Sequence, residues 1–416
     1  MVSRRVFLKQ GAFAFVSLGF APSFLARTAL AAGASSRAKR LIAIFQRGAV
    51  DGLSVVPPFG EADYFRAWPT IAIARPGAGA DAAIDLDGFF GFHPRLGPLK
   101  PLWDARQLAV VHASGSPDST RSHFDAQDYM ESGTPGVKST RDGWLNRCLQ
   151  AQRTLPGDAP TAFRAVALSS HLPRMLQGTA PSLAMNEIDG FRLRGGKAGA
   201  GESFEAAYAA AADRVLNGTG RDAFGAIGML KAADPLQYQP ARAADYPRGP
   251  LGQALRQIAQ LAKADVGLEI AFAEIGGWDT HANQGAAQGQ LAARLDDFAR
   301  AIAALTTDLG DRMEDTVVLT MSEFGRAVNQ NGSGGTDHGH GNAMLVIGGG
   351  VRGGAVYGRW PGLAVERRHE GRDLAVTTDF RDVFAEIATR HLGVADAGPV
   401  FPGYNVSAAR FPGLLA

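Results

Sequence analysis

Asp337, His338 and His340 crowd into "GGTDHGHG", and Asp279 and His281 stand two apart in "GGWDTH", in a chain with nine histidines. Carboxylate oxygens and imidazole nitrogens beside flexible glycines form a donor set for zinc, manganese or iron, whereas calcium prefers oxygen alone. Glu323, in "TVVLTMSEFGR", adds a carboxylate at a strand end, with Arg326 three residues on as an ion-pair partner. The stretch "SPDSTRSHFDAQ" offers Ser116, Ser119, Thr120 and Ser122 together with Arg121 and His123, just ahead of a helix. A helix N-terminus stabilises anions, so Ser122 is the nucleophile candidate; the same position also suits a simple N-cap. Equally plain alternatives apply elsewhere: Asp279 as a helix cap, Glu323 as the partner of Arg326, and "TDHGHG" as a polar loop. No Gly-x-Ser-x-Gly elbow is present, which counts against a Ser-His-Asp hydrolase. His93, His112, His171 and His369 lack partners in sequence and read as structural or solvated, and His391 lies in an amphipathic helical stretch, "DFRDVFAEIATRHLG".

These residues need a frame. Apolar runs at Leu41–Phe45, "QLAVVHAS", "AVALS", "LEIAFAEIGG", "TVVLTMSE" and "AMLVIGGG" predict buried strands. Between them, "SHFDAQDYMESG" predicts a helix closed by Gly133, and "ALRQIAQLAKAD" a second. A third, "QLAARLDDFARAIAALTTDL", sets Leu291, Leu295, Phe298, Ile302 and Leu305 at helical spacing. Apolar strands alternating with amphipathic helices imply an α/β fold, a mostly parallel central sheet with helices on both faces. Ligands gather at the C-terminal ends of such strands. Asp51, the "SPDSTRSH" loop, "GGWDTH" and "SEFGR" each follow a predicted strand, so four polar clusters are expected on one rim. The glycine-rich stretches "RLRGGKAGAGESF" and "AADPLQYQPARAADYPRGPLG" read as loops or insertion edges, leaving a single domain over 32–416.

Residues 1–31 read as an export signal. "SRRVFLK" precedes an apolar run and the small-residue exit "ALA" at Ala29 to Ala31, and its paired arginines are similar to the twin-arginine pattern. That resemblance implies the twin-arginine translocation machinery as a partner and a periplasmic or extracellular bacterial destination. The apolar run is short for a stable membrane span. The whole chain has 42 basic and 40 acidic residues, and the signal holds Arg4, Arg5, Lys9 and Arg27 with no acid, so the remainder carries 38 against 40. Such a balance speaks against nucleic acid as a partner. Cys148 stands alone, so no internal disulfide forms and the fold rests on its apolar core.

The order "FQRGAVDGLSVVPP", "RSHFDAQDYMESG", "GGWDTH", "TVVLTMSEFGR", "GGTDHGHGNAMLVIGGGVRGG" and "TTDFRDVF" resembles the DUF1501 proteins, over essentially the whole mature chain. That family is in turn distantly similar to the alkaline phosphatase and sulfatase superfamily. The resemblance implies an alkaline-phosphatase-like sandwich and one or two divalent ions of zinc, manganese, iron or calcium. It casts Asp51, Asp279, His281, Glu323, Asp337, His338 and His340 as metal ligands. Ser122, Arg121, His123 and Arg326 become the catalytic set, with the arginines clamping the oxygens of a phosphate or sulfate ester. The sequence departs from the superfamily pattern where Phe324 stands in place of a histidine, a place His338 or His340 could fill. The expected activity is hydrolysis of a small-molecule or cell-envelope ester through a seryl intermediate; the alternative is a non-catalytic exported binding or assembly protein on the same fold.

Overall fold

The computed structural model describes residues 39–152, 162–188 and 238–415. The expected export signal and "RLRGGKAGAGESF" lie outside the described residues, as does the first part of "AADPLQYQPARAADYPRGPLG".

Strand β1 (Arg40–Gln46) is buried along its whole length. Its side chains alternate between two cores, as a pleated strand covered on both faces requires. Ile42 and Ile44 face a core completed by Leu255, Ile258, Leu295, Phe298 and Ile302, from helices Pro250–Lys263 and Gln290–Leu309. Leu41, Ala43 and Phe45 face another, with Trp144, Phe384 and Phe401. The five positions picked out by helical spacing, Leu291 to Leu305, are all buried there. Each fully buried side chain of that size contributes about 1.5–3 kcal/mol relative to exposure.

Two short strands, β2 (Ile84–Asp85) and β3 (Gly91–Phe92), form a separate antiparallel pair. The main sheet adds β4 (Leu108–Gly115), β5 (Ala165–Leu168), β6 (Leu183–Met185), β7 (Ile270–Ile275) and β8 (Thr316–Met321). A hairpin of β9 (Arg326–Gln330) and β10 (Thr336–His338) precedes β11 (Asn342–Gly348), β12 (Val356–Tyr357) and β13 (Thr378–Asp379). The order is β12-β4-β11-β8-β1-β7-β5-β6, with β13 also on β4. Neighbours are parallel except around β11, which runs antiparallel to both β4 and β8. This bears out the α/β reading with a mostly parallel sheet between helical layers.

The one reversed strand matters for the site. Polar segments after β1, β4, β7 and β8 emerge at the C-terminal rim, and because β11 is reversed, the residues before it arrive at the same rim. That brings "TDHGHG" to meet the others. The described residues all fall within one compact unit, and none of their helices is long and apolar enough to cross a membrane.

Candidate metal centre

Four side chains converge above the rim. His123 opens the helix His123–Ser132, whose N-cap is Ser122 and whose end is Gly133 in the left-handed conformation. Asp279 and His281 follow β7, and His338 ends β10. The donor atoms of His123, Asp279 and His338 lie within 4.8 Å of one another. His338 Nε2 is 3.0 Å from His123 Nε2 and 3.0 Å from His281 Nε2. Asp279 Oδ1 lies 2.9 Å from His281 Nε2 and 3.1 Å from His338 Nε2, and Asp279 Oδ2 lies 3.4 Å from His123 Nε2.

The protons on these rings decide what the cluster is for. His123 Nδ1–H donates to Glu323 Oε1 at 2.8 Å, His281 Nδ1–H to Asp337 Oδ1 at 3.0 Å, and His338 Nδ1–H to the Arg121 carbonyl at 2.9 Å. An acceptor that can never donate fixes the tautomer. In its neutral form each ring so bonded turns a bare Nε2 lone pair inward, while the Glu323 carboxylate pushes His123 toward holding a second proton. Lone pairs 3.0 Å apart repel unless a cation, whether a proton or a metal ion, lies between them. Imidazole nitrogens at about 2.0–2.1 Å from a tetrahedral zinc sit about 3.3 Å from each other, close to the spacing found. Nδ1–H tied to a carboxylate or carbonyl is the usual support of a metal-binding histidine. His123, Asp279 and His338 thus form a compact donor set that fits a transition-metal ion, with His281 Nε2 in contact with two of them, His338 and Asp279.

Charge agrees. Asp279, Glu323 and Asp337 all titrate below their ordinary range. For Asp279 and Glu323 burial pushes upward, but Arg326 on Asp279 and the bonds from His123 and Gln127 on Glu323 outweigh it. Asp337 is lowered by its bonds from Asn331 and His281. Of these three carboxylates only Asp279 forms a described ion pair with a guanidinium, that of Arg326, which leaves negative charge beside the rings that a cation would balance.

Glu323 is fully buried and accepts from His123, from Gln127 Nε2 at 2.8 Å and from the Gly48 amide at 2.8 Å, while Ser322 Oγ donates to its other oxygen at 2.9 Å. Arg47 ion-pairs with Glu131 and Glu274 and donates to Gln127 Oε1, completing a chain that holds His123 in place. Phe324 stacks on the His123 ring at 4.9 Å. Gly48 adopts φ +113°, and a β-carbon there would lie 2.9 Å from the Asp279 amide nitrogen, so the loop carrying Asp279 can close only over glycine.

Three ligands expected from sequence, Asp279, His281 and His338, are brought together. Four others take different places. Asp51 has both oxygens taken: Oδ1 accepts the Leu53 and Ser54 amides as an N-cap, and Oδ2 accepts Gln284 Nε2 at 2.8 Å and Thr336 Oγ1. Glu323 and Asp337 orient histidines instead of facing the centre. His340 is buried elsewhere, stacked on His369 at 4.2 Å, and burial pushes it down to about 4. The catalytic candidates also shift. His123 is a fourth donor to the cluster. Ser122 Oγ accepts the Asp125 amide as the helix cap. Arg326 is wholly buried and spends its nitrogens on Asp279, Thr336 Oγ1 and the Thr336 carbonyl, so it cannot clamp a substrate. Arg121 pairs with Asp373 and Glu370 through Nε and Nη2, leaving Nη1 without a described hydrogen bond. Gln127 escaped the sequence reading, although its position one helical turn after His123 places both on one face.

The family model described as "Protein of unknown function (DUF1501)" matches residues 103–402, which include all four donors. The chain belongs to the DUF1501 family. No curated protein matches it in sequence. Among solved structures, this DUF1501 chain is similar to the PsFucS1 sulfatase from Pseudoalteromonas sp., at 13% identity and a TM-score of 0.41, covering 94% of this chain and 75% of the sulfatase. It is also similar to the phosphonate monoester hydrolase of Agrobacterium radiobacter, at 11% identity and a TM-score of 0.33, covering 85% and 74% of the two chains. Likeness of that degree says nothing about activity.

Proposed function

We propose that this DUF1501 protein is an exported metal-dependent hydrolase of phosphate or sulfate esters. The reading is carried by one observation: three histidine Nε2 atoms converge with their Nδ1 protons tied elsewhere, beside the Asp279 carboxylate. His123, His338 and Asp279 would hold one divalent ion, with His281 beside His338 and Asp279 as a further nitrogen donor. A cation held there supplies Lewis acidity, polarising an ester oxygen and making water a usable nucleophile near neutral pH. Glu323, Asp337 and the Arg121 carbonyl keep the three rings in the binding tautomer. Arg326 holds Asp279 in position. Arg121 Nη1, at the rim, is the guanidinium nitrogen with capacity for an ester oxygen.

Within the ester-hydrolase reading, activated water is favoured over a seryl intermediate. Ser122 Oγ is engaged as the helix cap and makes no described contact with the four donors. The rival, a metal-binding protein without turnover, draws on the same engaged Ser122 and on the fully committed Arg326.

Metal content by elemental mass spectrometry, followed by turnover of aryl phosphate and aryl sulfate esters, tests the reading. One equivalent of metal in the wild type, lost in His338→Ala, with hydrolysis that survives Ser122→Ala, is the expected result. Hydrolysis abolished by Ser122→Ala restores the serine as nucleophile. Stoichiometric metal with no turnover of either ester class supports the binding protein. A metal-free wild type that stays so after each ion is added sinks both. Export is tested separately: replacing Arg4 and Arg5 by lysine is expected to keep the protein in the cytoplasm.

A further inference from the structure

A groove of about 550 Å³ opens at the C-terminal end of β7, lined by Glu274, Ile275, Gly276, Gln290, Arg294 and Asp297 among others. None of the four metal donors lines it. Arg294 stands apart from the other arginines near the rim. Arg47, Arg121 and Arg326 are each paired with carboxylates. Arg294 makes no described hydrogen bond or ion pair, and its Nε is buried with no partner. A buried donor without an acceptor costs free energy unless something fills the place.

The surroundings are shaped around this guanidinium. A β-carbon on Gly277 would lie 2.7 Å from Arg294 Cζ and 2.8 Å from Nη1, and Gly277 has φ +90°. The fork therefore lies flat against bare backbone, in the lining of the groove. Of the two carboxylates in the lining, Glu274 is held by Arg47 at 2.5 Å. Asp297 rests against Gly249, where helix Pro250–Lys263 begins and the helix dipole offsets its charge. Arg294 is the one basic side chain in the lining. A planar fork of N–H donors matches the two oxygens of a carboxylate.

We propose that this groove binds the carboxylate of a small molecule through Arg294, as a site separate from the metal centre. The backbone amides of Gly276 and Gly277 report on it in any variant, and the test is a titration of labelled, metal-loaded full-length protein with sodium acetate, followed by NMR. The expected result is a saturable shift of both amides that equal sodium chloride does not reproduce. Arg294→Gln, which breaks no existing bond, should weaken that binding at least tenfold, and Arg294→Lys should weaken it too because the fork is lost. Asp279→Asn, which impairs the metal centre, should leave it unchanged, so the two sites fail independently. A shift that never saturates, one matched by chloride, or equal binding by Arg294→Gln overturns the proposal. Tighter binding of sulfate than of acetate overturns the carboxylate assignment.

Discussion

Glu323→Gln isolates the support of His123 from the ligand itself. The carboxylate is fully buried and touches four donors: His123 Nδ1, Gln127 Nε2 and the Gly48 amide on one oxygen, and Ser322 Oγ on the other. A glutamine amide oxygen can keep the first three. Its NH2 then faces Ser322 Oγ, whose one proton can turn from residue 323 to the Gln46 carbonyl at 2.6 Å, leaving a lone pair to accept in return. The shape and the hydrogen bonds survive; the negative charge behind the imidazole does not. Loss of such support lowers metal affinity roughly 10–100-fold, or about 1.4–2.7 kcal/mol. Glu323→Ala differs in kind, because it strands several buried donors at about 1–3 kcal/mol each and should lower stability as well. The assay is competition for zinc against a chelator of known affinity, with thermal unfolding of the metal-free proteins run alongside. Glu323→Gln is expected to match the wild-type metal-free midpoint yet release zinc far more readily. Unchanged zinc affinity in a folded Glu323→Gln variant would refute the argument that His123 is a ligand oriented through its Nδ1.

Asp51→Ala should leave metal content intact while lowering stability by about 2 kcal/mol or more, through the lost cap and the stranded Gln284 and Thr336; metal loss without destabilisation would make Asp51 a ligand after all. Gly48→Ala should weaken metal binding, since the added carbon meets the Asp279 amide; zinc affinity equal to wild type counts against that close approach. Buried His93, His112 and His391 are each pushed by desolvation from near 6.5 down to about 4. Their unfolded forms bind protons first as pH falls below about 6.5, so stability is full above that pH and declines toward pH 4, by up to roughly 3 kcal/mol per ring. Thermal midpoints that stay flat from pH 7 to pH 5 would contradict the neutral assignment.

Local pattern determined the elements. Leu41–Phe45 had to be a strand buried on both faces because no residue in it is polar, and Leu291 to Leu305 had to share a helix face because of their spacing. The residues able to bind a metal were also legible, since Asp279, His281 and His338 stand in glycine-flanked segments at strand ends. Their division of labour was not. Whether a carboxylate binds an ion or steadies a histidine depends on which way it points over a few ångströms, and spacing carries no such information. Asp51 looked like a ligand because it follows β1, but the chain turned at once into a short helix whose amides claimed it. His123 looked like a neighbour of the nucleophile until the fold set its Nδ1 on Glu323, some two hundred positions away. The direction of β11 was equally invisible, because an apolar run reads the same both ways. Its reversal brings the residues preceding it to the rim, and with them His338, the ring that both other histidines meet.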